Sequence, residues 1–389
     1  MKFNLHPFHA LRPQPQHIKN WSYRQIGDVN IEVDSDAADF YSLIRPDENN
    51  HQQIRKRLNN YLKQKVLVKD ASPSLYCYRI KQNDAVFEGI IGLMDTKHVL
   101  DGTIVPHEGV VNKRVSMFKD YLKEVMLNTE PVLLGHTENA ALTEIRKRFL
   151  CSRPFAEFDR AGVTHSLWRI DHPTIINHVQ KALRDIKSLL IIDGHHRCYS
   201  SVQLAAEQAA YDKMLVCLVP DHQLKVDAFC RLFTDLNNHR PDHFIAQLSS
   251  TFNVARVNYY QKPMNSQSFA MYLEKSWYKL QYKSIDRDKA FDNLPTQVLY
   301  KHIAKPLLAI EDLHTDARID YQYHENNKKG IEQTVDSKQY KLGIEHFPIS
   351  LDLVKRCLSE GALLPPKSTY VFPKLLNGLL MYDFKAYDS

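Results

Sequence analysis

Apolar residues in the middle of the chain recur with two different spacings, which predict alternating helices and strands. Steps of three and four residues from Val115 to Val125 predict a helix over residues 114–127. The same spacing predicts three further helices, over 173–186, 199–209 and 226–236. Short, wholly apolar runs predict strands at 189–192 and 215–219. Such alternation is typical of an α/β or α+β core.

The two ends of the chain give weaker patterns. Residues 1–70 contain several prolines, and we expect them to be irregular. Residues 76–80 and 86–94 lie on either side of a polar turn, which predicts a β-hairpin. Near the other end, Ser350 and Gly361 are suited to begin and end a helix. Asn377-Gly378 predicts a second hairpin, between strands at 370–372 and 379–381. We expect two domains, 1–240 and 241–389.

Glycine spacing excludes three common enzyme classes. The 389 residues include only 12 glycines, and no two of them stand two, four or five positions apart. The chain therefore lacks the G-x-G-x-x-G dinucleotide fingerprint, the G-x-S-x-G nucleophile elbow and the P-loop.

The cysteine pattern and the net charge indicate the cellular compartment and the class of ligand. The six cysteines form no C-x-x-C pair, and Met1 to His6 lacks the apolar region of a signal peptide, so we expect a reduced, cytoplasmic protein. No apolar run is long enough to span a membrane. The net charge of +6 comes without a long basic run, which disfavours nucleic acid as a partner but permits anionic ligands.

The segment with the most specific chemistry is Asp193-Gly194-His195-His196-Arg197. It lies between a predicted strand and a predicted helix, where amides and the helix dipole favour anions. Gly194 permits a close backbone approach, and the next three side chains carry donors suited to phosphate oxygens. Asp193 is placed to hold Mg²⁺ against those phosphates. The segment predicts a phosphate-binding turn that is not a P-loop.

Two other interpretations of this segment remain. Asp193 can be a helix cap beside exposed histidines, which requires no ligand. A zinc site is disfavoured, because no spaced set of cysteine and histidine ligands accompanies the two adjacent histidines.

The same segment carries a family resemblance. The string IIDGHHRCYS resembles the central motif of the bacterial and archaeal family called domain of unknown function 1015. Five further stretches resemble that family in the same order: PFHALRP at 7–13, SLYCYRI at 74–80, VPHEGVVNKR at 105–114, THSLWRI at 164–170 and LPPKSTYVFPKLLNGL at 364–379. The D-G-H-H-R element also resembles that of free L-serine kinases in the ParB/sulfiredoxin superfamily.

The resemblance implies both a fold and a chemistry. The fold would be α+β, with a ParB/sulfiredoxin-like core and an additional C-terminal α+β region that closes the site. The chemistry would be a Mg²⁺-dependent transfer of phosphate from ATP, ADP or pyrophosphate to a hydroxyl of a small, serine-like molecule. Asp193 would hold the metal, and His196 would take part in catalysis and in phosphate binding.

Two other groups of residues accompany the central motif. Glu108 follows a predicted strand and is a candidate general base, although a solvated or helix-capping role is the simpler interpretation of the residue alone. Lys367, Ser368, Thr369 and Lys374 flank a short predicted strand. They are candidates for binding the phosphate donor, or alternatively a solvated hairpin.

Two departures from the family pattern keep other functions open. Residues 30–41 lack the family's Pro-Pro-Tyr-Asp stretch, and Gly109-Val110 replaces its usual threonine after His-Glu. A nucleotide-binding, ParB-like regulatory module is therefore the second interpretation. A family member that keeps the fold without catalytic turnover is the third.

Overall fold

The computed structural model describes residues 2–18, 43, 51–160, 162–284, 289–323 and 327–384. The departure at residues 30–41 lies outside the described residues. The chain divides into two compact units. The first contains Met1–Pro106, Val110–Leu224 and Pro373–Ser389, and the second contains His107–Gly109 and Lys225–Phe372. The domain boundary at residue 240 stays a prediction.

A large mixed sheet forms the framework of the first unit. Its strands are mostly buried on both faces, which explains why they read as continuous apolar runs in the sequence. In spatial order the described strands are Ile104–Val105, Leu189–Asp193, Val132–His136, Lys213–Pro220, Ala85–Asp95, Leu75–Gln82, Val163–Ile170 and Ala156–Arg160, with Leu5–His6 also paired to Ala85–Asp95.

The predicted hairpin of the first unit is confirmed. Leu75–Gln82 and Ala85–Asp95 pair antiparallel, with Tyr78 opposite Gly89. Buried side chains from both strands join a core that also includes Ile191, Trp168 and Val179.

Three helices of the first unit lie where the apolar spacing predicts them, at Asn112–Val125, Pro173–Leu183 and His195–Glu207. The helices of the first unit are Pro15–Ile18, His51–Lys63, Lys97–Leu100, Asn112–Val125, Ala140–Leu150, Pro173–Leu183 and His195–Glu207, with 3-10 turns at Ala209–Tyr211 and Asp221–Gln223. A smaller sheet contains Leu67–Lys69, Ala10–Pro13, Met381–Asp383 and Leu127–Asn128 in that order. The expectation that residues 1–70 are irregular is therefore wrong for their described part. The apolar spacing does not predict the helix His51–Lys63, because this helix fully buries just two apolar residues, Ile54 and Leu58.

The second unit is built around a six-stranded sheet. Its strands are, in order, Phe252–Val257, Ser276–Tyr282, Ser268–Leu273, Leu342–His346, Cys230–Phe233 and Ile319–Gln322, and neighbouring strands run antiparallel. A separate pair joins Lys225–Asp227 to Tyr370–Phe372. The helices are Pro241–Leu248, Pro295–Leu299 with a π-helical turn at Tyr300–Ala304, Asn327–Asp336 and Leu351–Ser359, and a 3-10 turn lies at Phe291–Asn293. Ser350 caps the last helix by accepting a hydrogen bond from the Leu353 amide, as the sequence predicts.

Two predicted elements are wrong. The segment predicted as a helix over 226–236 forms the strands Lys225–Asp227 and Cys230–Phe233. The predicted hairpin around Asn377-Gly378 does not form, because Tyr370–Phe372 pairs with Lys225–Asp227 and Met381–Asp383 pairs with two other strands. In both cases the pairing strands lie far away in the sequence, so local spacing could not reveal them.

The fold class is α+β, which confirms the prediction. In the part of the chain that the structure describes, no helix combines the length and the apolar character needed to cross a membrane.

Candidate functional site

A tight connection from strand to helix places the D-G-H-H-R segment. The strand Leu189–Asp193 ends at Asp193, and the helix begins at His195. Between them Gly194 adopts a left-handed conformation, with φ 92° and ψ 27°. A Cβ atom at this position would lie 2.9 Å from Nη2 of Arg197. Glycine is therefore favoured twice, by the backbone conformation and by the side chain that folds back over it.

Asp193 accepts contacts from two cations. Its Oδ1 lies 3.2 Å from Nζ of Lys374, and its Oδ2 lies 3.4 Å from Nη2 of Arg197. Burial alone raises the pKa of this carboxyl, but the charges of Lys374 and Arg197 outweigh burial and hold the pKa below its ordinary value. Asp193 is thus ionised at neutral pH, and 43% of its side chain is exposed.

Sequence reasoning missed Glu130, which completes this charge cluster. Its carboxylate accepts a hydrogen bond from Nη1 of Arg197, and its side chain is 9% exposed. Burial raises the pKa of Glu130, while the Arg197 charge opposes this shift. Glu130 stands two residues before the buried strand Val132–His136. This strand pairs with Leu189–Asp193, and the pairing brings Glu130 to Arg197. Asp193, Glu130, Arg197 and Lys374 are called the charge cluster below.

The two histidines of the motif are partly built into the fold. His195 is 3% exposed, so the fold encloses nearly all of its side chain. Nε2 of His196 accepts a hydrogen bond of 3.1 Å from the amide of Val111, which caps the start of the helix Asn112–Val125. In this arrangement Nε2 of His196 carries no proton, so the proton of the neutral ring is on Nδ1.

Glu108 belongs to the second unit and lies on a short backbone bridge. It forms an isolated parallel bridge with Leu364, whose amide donates to the carbonyl of His107. The buried ring of His107 contacts Thr369 through Nε2 and Oγ1, 3.0 Å apart. These contacts fix the backbone on both sides of Glu108, whose side chain is half-buried.

The predicted group at the C-terminal end is divided between the two units. Lys374 joins the charge cluster in the first unit. In the second unit, Nζ of the exposed Lys367 lies 5.5 Å from the centre of the Phe229 ring, over its face. Ser368 is fully buried and donates to the carbonyl of Pro365 at 2.6 Å. The donor-binding roles of Lys367, Ser368 and Thr369 stay predictions.

The carboxylates of the charge cluster suit a magnesium ion that is coordinated mainly by a bound phosphate compound and by water. Among the described residues no group of three or more histidine, cysteine or acidic side chains is arranged to hold a metal. Mg²⁺ commonly takes only one or two protein carboxylates and completes its shell with phosphates and water. The ionised and partly exposed Asp193 meets that requirement, with Glu130 beside the same arginine.

Comparison with known proteins identifies the family. The family described as "Protein of unknown function (DUF1015)" matches residues 5–305. The chain belongs to this family. Within the DUF1015 match lie the D-G-H-H-R turn, Glu108 and Glu130, whereas Lys374 lies beyond it. No protein of curated function matches the chain.

Several solved structures resemble this DUF1015 protein at low identity. Free serine kinase in complex with AMP is 13% identical, with a TM-score of 0.41 over 78% of this chain and 93% of the kinase. A conserved hypothetical protein from Pyrococcus furiosus is 12% identical, with a TM-score of 0.40 over 76% of this chain and 96% of its own. SbnI from Staphylococcus aureus, truncated at its C-terminus, is 12% identical, with a TM-score of 0.40 over 74% and 85%.

Proposed function

We propose that this protein is a Mg²⁺-dependent phosphotransferase that moves phosphate from ATP, ADP or pyrophosphate to the hydroxyl of a small, serine-like molecule. The observation that carries the proposal is the charge cluster at the turn after Asp193. There Lys374 and Arg197 contact different oxygens of one carboxylate, directly beside the N-terminus of the helix His195–Glu207. Phosphoryl transfer depends mainly on such positioning and charge neutralisation.

The balance of charge explains why the donor would bring a metal ion. With all four groups ionised, two carboxylates and two cations of the charge cluster cancel. The helix N-terminus adds only about half a positive charge. A polyphosphate needs more positive charge than this, and Mg²⁺ would supply it by binding phosphate oxygens and the Asp193 carboxylate.

In the proposed complex each residue of the turn has a distinct task. Gly194 lets the phosphate approach the backbone, and the amides at the start of the helix donate to its oxygens. Arg197 and Lys374 would turn from Asp193 toward the phosphate, while Glu130 keeps its hydrogen bond to the guanidinium. His195 and His196 are the proposed additional donors, and His196 is also proposed to take part in catalysis.

Glu108 is the proposed general base. A hydroxyl is a poor nucleophile, and a positioned carboxylate can accept its proton as the bond to phosphorus forms. The bridge to Leu364 and the His107–Thr369 contact hold the backbone of Glu108 in place, which supports such a role.

The first test is a phosphorus NMR assay of the purified protein with each of the three donors and a panel of free amino acids and small alcohols. Asp193→Asn should lower any turnover by at least about tenfold, which corresponds to about 1.4 kcal/mol in the barrier. Asp212→Asn is the matched control, because Asp212 pairs with a lysine on the surface of the same unit. Equal turnover in the two variants would contradict the role of Asp193.

The second test separates the base from the donor site. Glu108→Gln keeps the shape of the side chain but cannot accept a proton, so it should depress turnover and leave donor affinity unchanged. Full turnover in this variant would refute the assignment. Donor binding without turnover for any acceptor would instead favour a nucleotide-binding module or an inactive family member.

A further inference from the structure

The second unit contains an arginine whose charge is not balanced. Arg231 lies on the strand Cys230–Phe233, between two neighbouring strands, and only 2% of it is exposed. Its Nη1 and Nη2 atoms have no hydrogen-bond partner in the described part of the chain, and no carboxylate there forms an ion pair with it. A buried charge of this kind is costly unless something pairs with it.

Another buried arginine, Arg146, differs from Arg231 because it has an acidic neighbour. Arg146 is equally buried, and its Nε and Nη1 also have no hydrogen-bond partner among the described residues. Its Nη2, however, lies 3.9 Å from the Glu138 carboxylate and donates to Thr143. Within the described part of the chain, the contact given for the Arg231 guanidinium is with the face of the Tyr321 ring, 5.4 Å from its centre. A cation on an aromatic face leaves its N–H groups unsatisfied.

The buried carboxylate of Glu345 does not serve as the missing partner. Arg231 stands opposite Ile344 in the sheet, so Glu345, the next residue, projects from the other face. On that face the Glu345 carboxylate accepts a hydrogen bond of 2.7 Å from the Tyr260 hydroxyl.

His346 shares the face of Arg231 and adds an acceptor. It lies two residues beyond Ile344, the distance at which diagonal neighbours in a sheet approach each other. The ring is fully buried, and its Nδ1 donates to the carbonyl of Phe347 at 2.7 Å. Nε2 therefore carries a lone pair, and it has no partner among the described residues. Burial, together with the Arg231 charge, lowers the pKa of His346 to about 3.

We propose that Arg231 and His346 form a binding site for a small carboxylic acid that carries a hydrogen-bond donor on the carbon next to its carboxylate. The two terminal nitrogens of the guanidinium match the two oxygens of a carboxylate. Nε2 of His346 would accept from the neighbouring hydroxyl or ammonium group. This site is separate from the proposed phosphotransferase chemistry and does not depend on it.

The local charge favours a carboxylate over a phosphate. His346 is neutral at pH 7, and burial raises the pKa of Tyr321 to about 12, so its phenol is neutral as well. The site thus carries a single positive charge, which a hydroxy acid anion such as glycolate cancels, whereas zwitterionic glycine leaves it in place, so glycolate should bind more tightly than glycine. A phosphate dianion would leave a net negative charge in a buried place.

Isothermal titration of the full chain tests the proposal, with glycolate and glycine as the two ligand sources. Acetate, which lacks the neighbouring donor, and inorganic phosphate are the comparison ligands. Glycolate or glycine should bind at least about tenfold more tightly than acetate, and phosphate should show no binding that depends on Arg231. Which of the two binds more tightly distinguishes a hydroxy acid from an amino acid.

Arg231→Met, which keeps the length of the side chain but not its charge, should weaken this binding by at least about thirtyfold. Arg256→Met is the matched control, since Arg256 lies exposed on another strand of the same sheet and donates to Ser276. His346→Phe should abolish the preference for glycolate or glycine over acetate. The proposal fails if the wild type binds neither glycolate nor glycine at millimolar concentration, or if it prefers phosphate. These two outcomes are decided on the wild type, so they stand even if a variant does not fold.

Discussion

Replacing Lys374 by glutamine separates a role in binding from a role in folding. The Lys374 ammonium lies 3.2 Å from Asp193, and the two side chains are 25% and 43% exposed. Ion pairs with this much exposure contribute about 0.2–1 kcal/mol to stability, because water screens them. Lys374→Gln should therefore change the free energy of unfolding by less than about 1 kcal/mol.

The effect on donor binding should be larger. A hydrogen bond to a charged group is worth about 1.5–3 kcal/mol, which corresponds to roughly a 10- to 150-fold change in dissociation constant. Without Lys374, Asp193 also loses one of the two cations that offset its charge, so it repels the phosphate more strongly. The dissociation constant for pyrophosphate or ADP should thus rise by more than about tenfold.

Two measurements on the same preparations test this prediction, namely titration calorimetry with Mg²⁺ and pyrophosphate, and urea unfolding. Lys97→Gln is the matched control, because Lys97 lies 3.1 Å from Asp95 in the same unit. An unchanged affinity in Lys374→Gln, or an equal loss in Lys97→Gln, would refute the reasoning. A loss of several kcal/mol in unfolding free energy would show that the Lys374–Asp193 pair is structural.

Two further predictions concern backbone conformation and pH. Gly194→Ala should destabilise the fold by about 1–2 kcal/mol, because of its positive φ, and should also weaken donor binding, because its Cβ would displace Arg197. Gly361→Ala has a similar φ but nothing within 4 Å of its Cβ, so affinity should change in the first variant only. Burial lowers the pKa of His165 from 6.5 to about 4 in the folded state. The unfolded chain then binds more protons, so stability should fall by up to about 1.4 kcal/mol per unit as pH drops from 6.5 to 4. In pH-dependent urea unfolding, His165→Asn should remove this part of the dependence while keeping an acceptor for the Tyr78 hydroxyl.

Local patterns in the sequence determined most of the elements near the proposed phosphate turn. The helices Asn112–Val125 and Pro173–Leu183 follow from spacings of three and four residues, because each buries apolar side chains on one face. The helix His195–Glu207 is also predicted by such a spacing, but it buries a histidine and two serines as well, and its Ala206 is exposed. The D-G-H-H-R segment was identified for a similar reason, since a buried strand, a glycine and a helix start are all encoded within a few residues.

The helix predicted over residues 226–236 is wrong, because two strands form there. Val226, Phe229 and Phe233 have the spacing of a helix, yet they lie in or between two strands. Short apolar segments fit either structure, and the choice depends on whether another strand offers its backbone groups. Here Tyr370–Phe372 and Leu342–His346 do so, and both lie more than 100 residues away in the sequence.

Only the tertiary structure decided which charges meet. Lys374 reaches Asp193 across 181 residues of chain, and Glu130 reaches Arg197 across 67. Neither contact leaves a trace in local composition, because an ion pair needs only proximity and not a repeating pattern. For Arg231 the tertiary structure decided that a charge is left without a described partner. The strand of Arg231 lies between two other strands, and the side chain is buried there away from water. Hydrophobic periodicity therefore encodes the elements, whereas the chemistry of both proposed sites depends on long-range packing.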